Sequence, residues 1–340
     1  MAIRHRPMEP KDVKGCAEIV AKHPVIGPRY GNQIGDLAKA WLRVVGCEAA
    51  NTTVFQSGDG PRAPICCLGV SLFVSDEFLR EIKTPPLRWV GPELARRILA
   101  GNSPVLSDNQ SREANSRGGL NLLVWEGCIH PEFEASGEVP SHMMTAFIEV
   151  HSGFLLKEII NVQVENVDRL QWTLQSGGLL WNPVEGCYQK SSKKDPKEIV
   201  RGPHIIGVTR EIEIDRRASW DPSWVGSLFD YRPPQCGFNR SEQRMLLIAL
   251  DGATDPEVAK QLNISLTVLK KRWLSVYHRM DDRLPRLNSR NPEPEVETLK
   301  RGKEKKRHLL AYLRQHPEEL RPFSNKLLKQ AGLGKTETLK

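Results

Sequence analysis

The chain predicts an α+β fold: a mixed sheet with helices over residues 1–215, then a small all-α domain and a basic C-terminal tail. Three observations carry this. Strand-like and helix-like patterns alternate through residues 1–215. Three capped helix starts follow one another between residues 238 and 285, and the whole net positive charge lies in the last third. The 340 residues, 39% of them hydrophobic, suffice for two or three globular units. The longest apolar run, residues 64–74, is well short of the ~20 residues that cross a bilayer. The N-terminus turns polar at once and lacks a secretory signal, so the cytoplasm is the expected location and no membrane partner is expected.

Strand candidates at 53–56, 66–74, 120–126, 154–164 and 204–214 interleave with helix candidates at 12–21, 34–45, 141–150 and 167–176. That mixture suits a central sheet covered by helices. Residues 75–117 read as an insertion, with a helix at 89–100 after Pro85 and Pro86. Residues 190–197 (KSSKKDPK) read as a polar surface loop. Residues 216–237 read as a linker, because Pro222, Pro233, Pro234 and Gly237 interrupt any period, although Trp220, Trp224, Phe229 and Tyr231 mark it as docked rather than free.

Seven cysteines, Cys16, Cys47, Cys66, Cys67, Cys128, Cys187 and Cys236, show no C-x-x-C spacing and read as buried thiols of a reducing compartment. Cys128 and His130 are two ligands without a second pair, so no metal residue is assigned. Residues 238–340 hold 22 Lys/Arg against 13 Asp/Glu, an excess of +9 that exceeds the +8 of the entire chain. A basic excess confined to one region is the electrostatic footprint of a polyanion-binding module.

Residues 238–285 carry most of the functional signal. Asn239 can cap a first helix, with Glu242 reaching back three residues on, and Gly252 follows its last apolar residue. Thr254 and Glu257 repeat the capping pattern for a second helix, with Pro256 tolerated in its first turn. Asn263 suits a turn that needs positive φ, and Ser265 can cap a third helix at once. This is a helix, tight turn, helix arrangement.

At 100° per residue the third helix puts Leu269, Trp273, Val276 and Met280 on one stripe. Thr267, Lys270, Lys271, Leu274 and His278 fall on the other. In a helix-turn-helix the N-terminal residues of the second helix of the motif enter the major groove, so duplex DNA is the expected partner. Lys270, Lys271 and Thr267 can reach bases or phosphates. Ser265 and Arg272 suit phosphates, while Leu266 and Leu274 suit thymine methyls. Residues 238–287 are therefore the expected DNA-binding domain. Residues 288–340 follow as a basic helical tail, with a helix at 298–315 whose leucines dock it or whose lysines meet the DNA backbone.

These residues also carry a family resemblance. Glu242, Leu246 and Leu247, Gly252, Glu257-Val258-Ala259, Leu262, Ile264-Ser265, Val268-Leu269-Lys270, Val276-Tyr277 and Arg279-Met280 resemble the DNA-binding domain of LuxR-type response regulators. The resemblance implies DNA binding through Ser265, Leu266, Thr267, Lys270, Lys271 and Arg272, and a homodimer as the assembly. Val268 stands where that family has Thr, and its dimerising fourth helix is not recognisable after Pro285.

Residues 1–215 resemble the GNAT acetyltransferases in their opening strand and turn, the strand at 120–129 ending in His130-Pro131, the helix at 141–150 and the strand at 154–164. That resemblance implies a coenzyme A pyrophosphate loop after Pro131. Here that stretch has one Gly and the three carboxylates Glu132, Glu134 and Glu138, so the domain is read as degenerate, with no catalytic or cofactor-binding residue assigned. A small-molecule or protein effector is its expected partner. The alternative is an N-acyltransferase using acetyl-CoA, with Glu126 as general base and the C-terminal module recruiting a partner.

Overall fold

Eight strands line up as one mixed sheet in the first of two units of the computed structural model, which describes residues 2–58, 60, 63–134, 136–162, 166–190, 195–221, 223–288 and 302–324. The units are Met1–Asp230 and Tyr231–Lys340. In chain order the strands are β1 (Ile3–Pro7), β2 (Ala50–Ser57), β3 (Ile65–Val74), β4 (Leu120–Ile129), β5 (Leu156–Asn161), β6 (Leu179–Asn182), β7 (Cys187–Gln189) and β8 (Ile206–Thr209). Across the sheet they run β1-β2-β3-β4-β5-β8-β6-β7. Every pair is antiparallel except β4 with β5.

Three helices, α1 (Val13–Lys22), α2 (Ile26–Tyr30) and α3 (Ile34–Val44), separate β1 from β2. Three more, α4 (Asp76–Lys83), α5 (Val90–Ala100) and α6 (Asp108–Ser116), fill the insertion between β3 and β4. The parallel pair is joined through α7 (Glu138–His151), as a crossover requires. After β5 come α8 (Val167–Gln175), then α9 (Pro196–Arg201) and α10 (Arg210–Ala218) on either side of β8.

Both faces of the sheet are covered. On one, Val20, Leu37, Trp41 and Leu94 pack with Leu68, Leu72 and Trp125. On the other, Phe73, Leu120, Leu122 and Phe154 cluster with Phe147 and Ile148 of α7. A strand buried on both sides reads as a continuous apolar run, which is why β3 has the sequence ICCLGVSLFV. Each large apolar side chain taken from water there contributes about 1.5–3 kcal/mol.

The second unit is built from α11 (Arg240–Leu250), α12 (Asp255–Gln261), α13 (Leu266–Asn288) and α14 (Gly302–Gln315). Asn239 caps α11 by accepting from Glu242 N at 3.0 Å, and Glu242 returns a bond to Asn239 N at 2.9 Å. Glu257 accepts from Thr254 N at 2.7 Å. Gly252 and Asn263 both have positive φ, at 88° and 52°. Leu269, Trp273, Val276 and Met280 are buried against Met245, Leu246, Val258 and Ala259, as their period predicts.

The structure corrects five expectations. The strand expected at 204–214 ends at Thr209, whose Oγ1 accepts from Ile212 N and starts α10. Ile212 and Ile214 alternate like strand residues, but Glu211 and Glu213 at the start and Arg216 and Arg217 at the end suit the helix dipole.

Residues 216–230, read as part of a linker, belong to the first unit, where Val225, Leu228 and Phe229 are buried. The loop expected at 190–197 gives way at Asp195, which caps α9; residues 191–194 lie outside those described.

The helical tail is not separate from the three-helix core. Leu309, Leu313 and Leu320 are buried in the same cluster, and the buried Glu319 carboxylate accepts from Gln235 N, Cys236 N and Tyr312 Oη at 2.8–3.0 Å. The expected helix residues 298–301 and the rest of the tail beyond 324 lie outside the described residues. Of the thiols, which sequence reading took as buried, Cys187 is exposed and Cys47 half-buried, and none of the seven is in a disulfide.

Candidate functional site

Among the described residues, two sites matter for the function, one in each unit. In the second unit, Ser265 accepts from Val268 N at 3.3 Å and so begins α13 directly after the turn at Asn263. Ser265, Leu266, Thr267, Lys270 and Lys271 are exposed, while Arg272 is half-buried on the flank. Val268 and Leu274 are exposed as well, so this surface mixes cations with aliphatic side chains. Its position at the start of a helix adds the positive end of the dipole to the two ammonium groups.

Two lysines of the tail are committed elsewhere. Lys305 pairs with Asp281 at 3.0 Å, and Lys306 pairs with Asp255 at 2.7 Å while lying over the Trp273 ring. Lys300, Arg301 and the side chain of Lys303 lie outside the described residues.

In the first unit, β4 and β5 pair only from Leu120 to Val124, beyond which β4 continues alone against β3. A cavity of about 180 Å³ lies here, between the sheet and helices α7 and α8. Where Val70 pairs with Glu126 but Ser71 pairs with Val124, Trp125 is the extra residue of a bulge. Such a bulge re-aims side chains. Trp125 packs edge-on to Trp41 and donates from Nε1 to Tyr30 Oη at 3.0 Å. Tyr30 Oη in turn donates to the buried Glu126 carboxylate, which lines the cavity. Tyr30 is the last residue of α2.

Ser71 and His151 form a second buried pair on the cavity wall. Ser71 Oγ lies 2.6 Å from His151 Nε2, and His151 Nδ1 lies 2.8 Å from the Phe147 carbonyl. Sequence reading gave His151 no role and passed over Ser71. The available signal was a lone hydroxyl, with Gly69 two positions before it, inside an otherwise apolar run.

The coenzyme A group implied by the acetyltransferase resemblance does not fit these residues. The first turn of α7 carries Glu138 and is not capped by a side chain, and the preceding segment presents Glu132 and Glu134. Glu134 is paired with His23 at 3.1 Å, and burial pushes that imidazole's pKa down, favouring its neutral form. Carboxylates around a helix N-terminus occupy the position where a pyrophosphate would need donors. Cys128 and His130 make ordinary local contacts: Cys128 Sγ donates to the Ile129 carbonyl and His130 Nδ1 accepts from Glu132 N.

No protein-family model and no curated protein sequence matches the chain. Among solved structures it is similar to an acetyltransferase from Corynebacterium glutamicum described as histone acetyltransferase-related, at 10% identity over 61% of this chain and 95% of that one, TM-score 0.35. It is also similar to an aminoglycoside acetyltransferase in complex with coenzyme A, at 12% identity over 64% and 99%, TM-score 0.34. An N-acyl amino acid synthase from uncultured soil microbes matches at 12% identity over 62% and 94%, TM-score 0.32. The first unit is an α+β domain with one mixed sheet, whose parallel pair β4–β5 is joined only from Leu120 to Val124. Among the described residues no helix is long and apolar enough to cross a membrane.

Proposed function

We propose that the chain is a sequence-specific DNA-binding regulator whose second unit reads duplex DNA with the first turns of α13. In this reading the first unit is a non-catalytic, acyltransferase-like module that answers to an effector. The observation that carries it is the division of α13: Leu269, Trp273, Val276 and Met280 are buried while Ser265, Thr267, Lys270 and Lys271 stay exposed after a tight turn. A helix held by its apolar stripe and preceded by a short helix and a tight turn offers its N-terminal side chains to a groove about 12 Å wide. The exposed Leu266 and Leu274 add contacts suited to thymine methyls. Against acyl transfer from acetyl-CoA, the alternative, stand Glu132, Glu134 and Glu138 around the helix start where the coenzyme's pyrophosphate would need donors.

The test is fluorescence anisotropy of the full chain against a pool of labelled duplexes, followed by selection of the bound sequences. Lys270→Ala or Lys271→Ala is expected to weaken binding by about 1–3 kcal/mol where the lysine reads a base. A lysine that meets only phosphate lowers the salt dependence by about one ion instead. Unchanged affinity and salt slope in both variants would remove α13 as the reading element.

A further inference from the structure

We propose that the cavity of the first unit is a binding site for a small monocyclic aromatic molecule carrying a hydroxyl group. The argument starts from its floor. Gly69 and Gly127 are direct cross-strand partners in β3 and β4, and both line the cavity. A Cβ added at Gly69 would meet nothing within 4 Å, and one at Gly127 only the end of Met143 at 3.7 Å. Neither backbone has the positive φ that would require glycine. Glycine in a strand interior is less stable than alanine would be. Two facing glycines that packing does not demand mark a place where something flat lies close on the backbone.

The walls and the volume fit one ring. Phe55, Phe147, Trp172 and Met143 surround the floor, giving aromatic faces and an adaptable thioether. A dry cavity of about 150 Å³ admits benzene, so the observed 180 Å³ has room for a ring with a small substituent.

The hydrogen-bonding groups specify the substituent. One ladder step from the glycine row, Asn51 and Ser71 face each other across β2 and β3. The Phe147 carbonyl can only accept, so His151 Nδ1 carries the ring hydrogen and Nε2 presents its lone pair to Ser71. The single Ser71 hydrogen goes to that nitrogen at 2.6 Å rather than to the Asn51 carbonyl at 3.5 Å. Ser71 Oγ is left as an acceptor facing the cavity. Asn51 Nδ2 is a buried donor with no partner among the described residues. A hydroxyl satisfies both at once, donating to Ser71 and accepting from Asn51. A carboxylate would meet a serine with no hydrogen to give and the Glu126 carboxylate on the same lining, with Arg169 of α8 as the cation there to offset them.

The inference stands apart from the DNA reading and its measurement uses no DNA, so the two fail separately. Titration calorimetry of the full chain with 4-methylphenol is expected to give saturable 1:1 binding, weakened about tenfold for toluene through loss of the hydroxyl's bonds. Benzoate is expected to bind no better than toluene. Gly69→Val, which fills the floor, should abolish binding of 4-methylphenol; Ser71→Ala should reduce it while circular dichroism stays unchanged. Absence of saturable 4-methylphenol binding to the unsubstituted chain would overturn the proposal, whatever the variants do. So would binding that Gly69→Val leaves intact, or toluene and benzoate binding as tightly as the phenol.

Discussion

Ser275 Oγ donates to Glu242 Oε1 at 2.7 Å, joining the first turn of α11 to the third turn of α13. The same carboxylate accepts from Asn239 N through its other oxygen, has Arg279 Nε at 3.3 Å, and is buried. Glu242 therefore fixes the helix that lies against α13 as well as its own first turn. Glu242→Ala leaves a hydroxyl and a backbone N–H without an acceptor, an expected loss of about 2–3 kcal/mol. Ser275→Ala should remove about 1 kcal/mol. Urea unfolding, with hydrogen exchange read at α11 and α13, checks both. The two losses should not add, because they share one carboxylate. An additive pair would mean that the bond does not link the helices.

Asn263, at φ 52°, sets the angle at which α13 leaves α12. A β-branched side chain is poorly tolerated there, whereas glycine adopts that conformation without strain. Asn263→Val is expected to destabilise the second unit by about 1–2 kcal/mol, and Asn263→Gly to change it by only a few tenths. Thermal unfolding of the full chain distinguishes them. Equal effects would show that the turn does not depend on this conformation.

How much of this was legible beforehand depended on how local the signal is. The caps at Asn239 and Thr254, the turn at Asn263 and the two stripes of α13 are each set by residues within a few positions of one another. The helix α10 was misread because Ile212 and Ile214 alternate, and the capping Thr209 looked like one more strand residue. Helices α4 and α6 were not anticipated. Their starts at Ser75 and Ser107 accept from Phe78 N and Gln110 N, but α6 buries only Ser111 and Asn115, so no apolar period announces it. The cavity was out of reach for a different reason. Asn51 meets Ser71, and Gly69 meets Gly127, through strand register, which no local pattern encodes. Glu126 was singled out by position alone, and its hydroxyl partner Tyr30 comes from a helix far away in the chain.

Lys306 separates the tail's structural role from a DNA-contacting one. Its ammonium sits 2.7 Å from Asp255 and over the Trp273 ring, which anchors α14 to α12 and α13. Lys306→Ala is expected to lower the stability of the second unit by about 1 kcal/mol through loss of the cation–π contact and the ion pair. At equal folded fraction it should leave the salt dependence of DNA binding unchanged, in contrast to Lys270→Ala or Lys271→Ala. A fall of about one ion in that slope would reassign Lys306 to the DNA-facing side.

Asp12 should contribute to the acid sensitivity of the first unit. Arg6 donates to both of its oxygens, Nη1 to Oδ2 at 2.6 Å and Nη2 to Oδ1 at 2.9 Å, and Glu9 N donates to Oδ2 at 2.8 Å. These bonds tie β1 to the start of α1. The Arg6 bond, with help from Glu9 N–H, holds the Asp12 carboxyl below its ordinary range against the opposing effect of burial. A carboxylate whose folded pKa is depressed binds fewer protons folded than unfolded. Its contribution is therefore fully present above the unfolded value of about 4 and is lost as pH falls toward the lower folded value. Asp12→Asn keeps the shape but removes the charge, and should lower stability at pH 7 by about 1.5–3 kcal/mol. The gap between variant and parent should then close as pH falls below about 4, because the parent's Asp12 becomes neutral as well. Denaturation midpoints of both proteins across that range measure the convergence. A gap that persists unchanged into acid would mean that Asp12 acts through packing rather than charge.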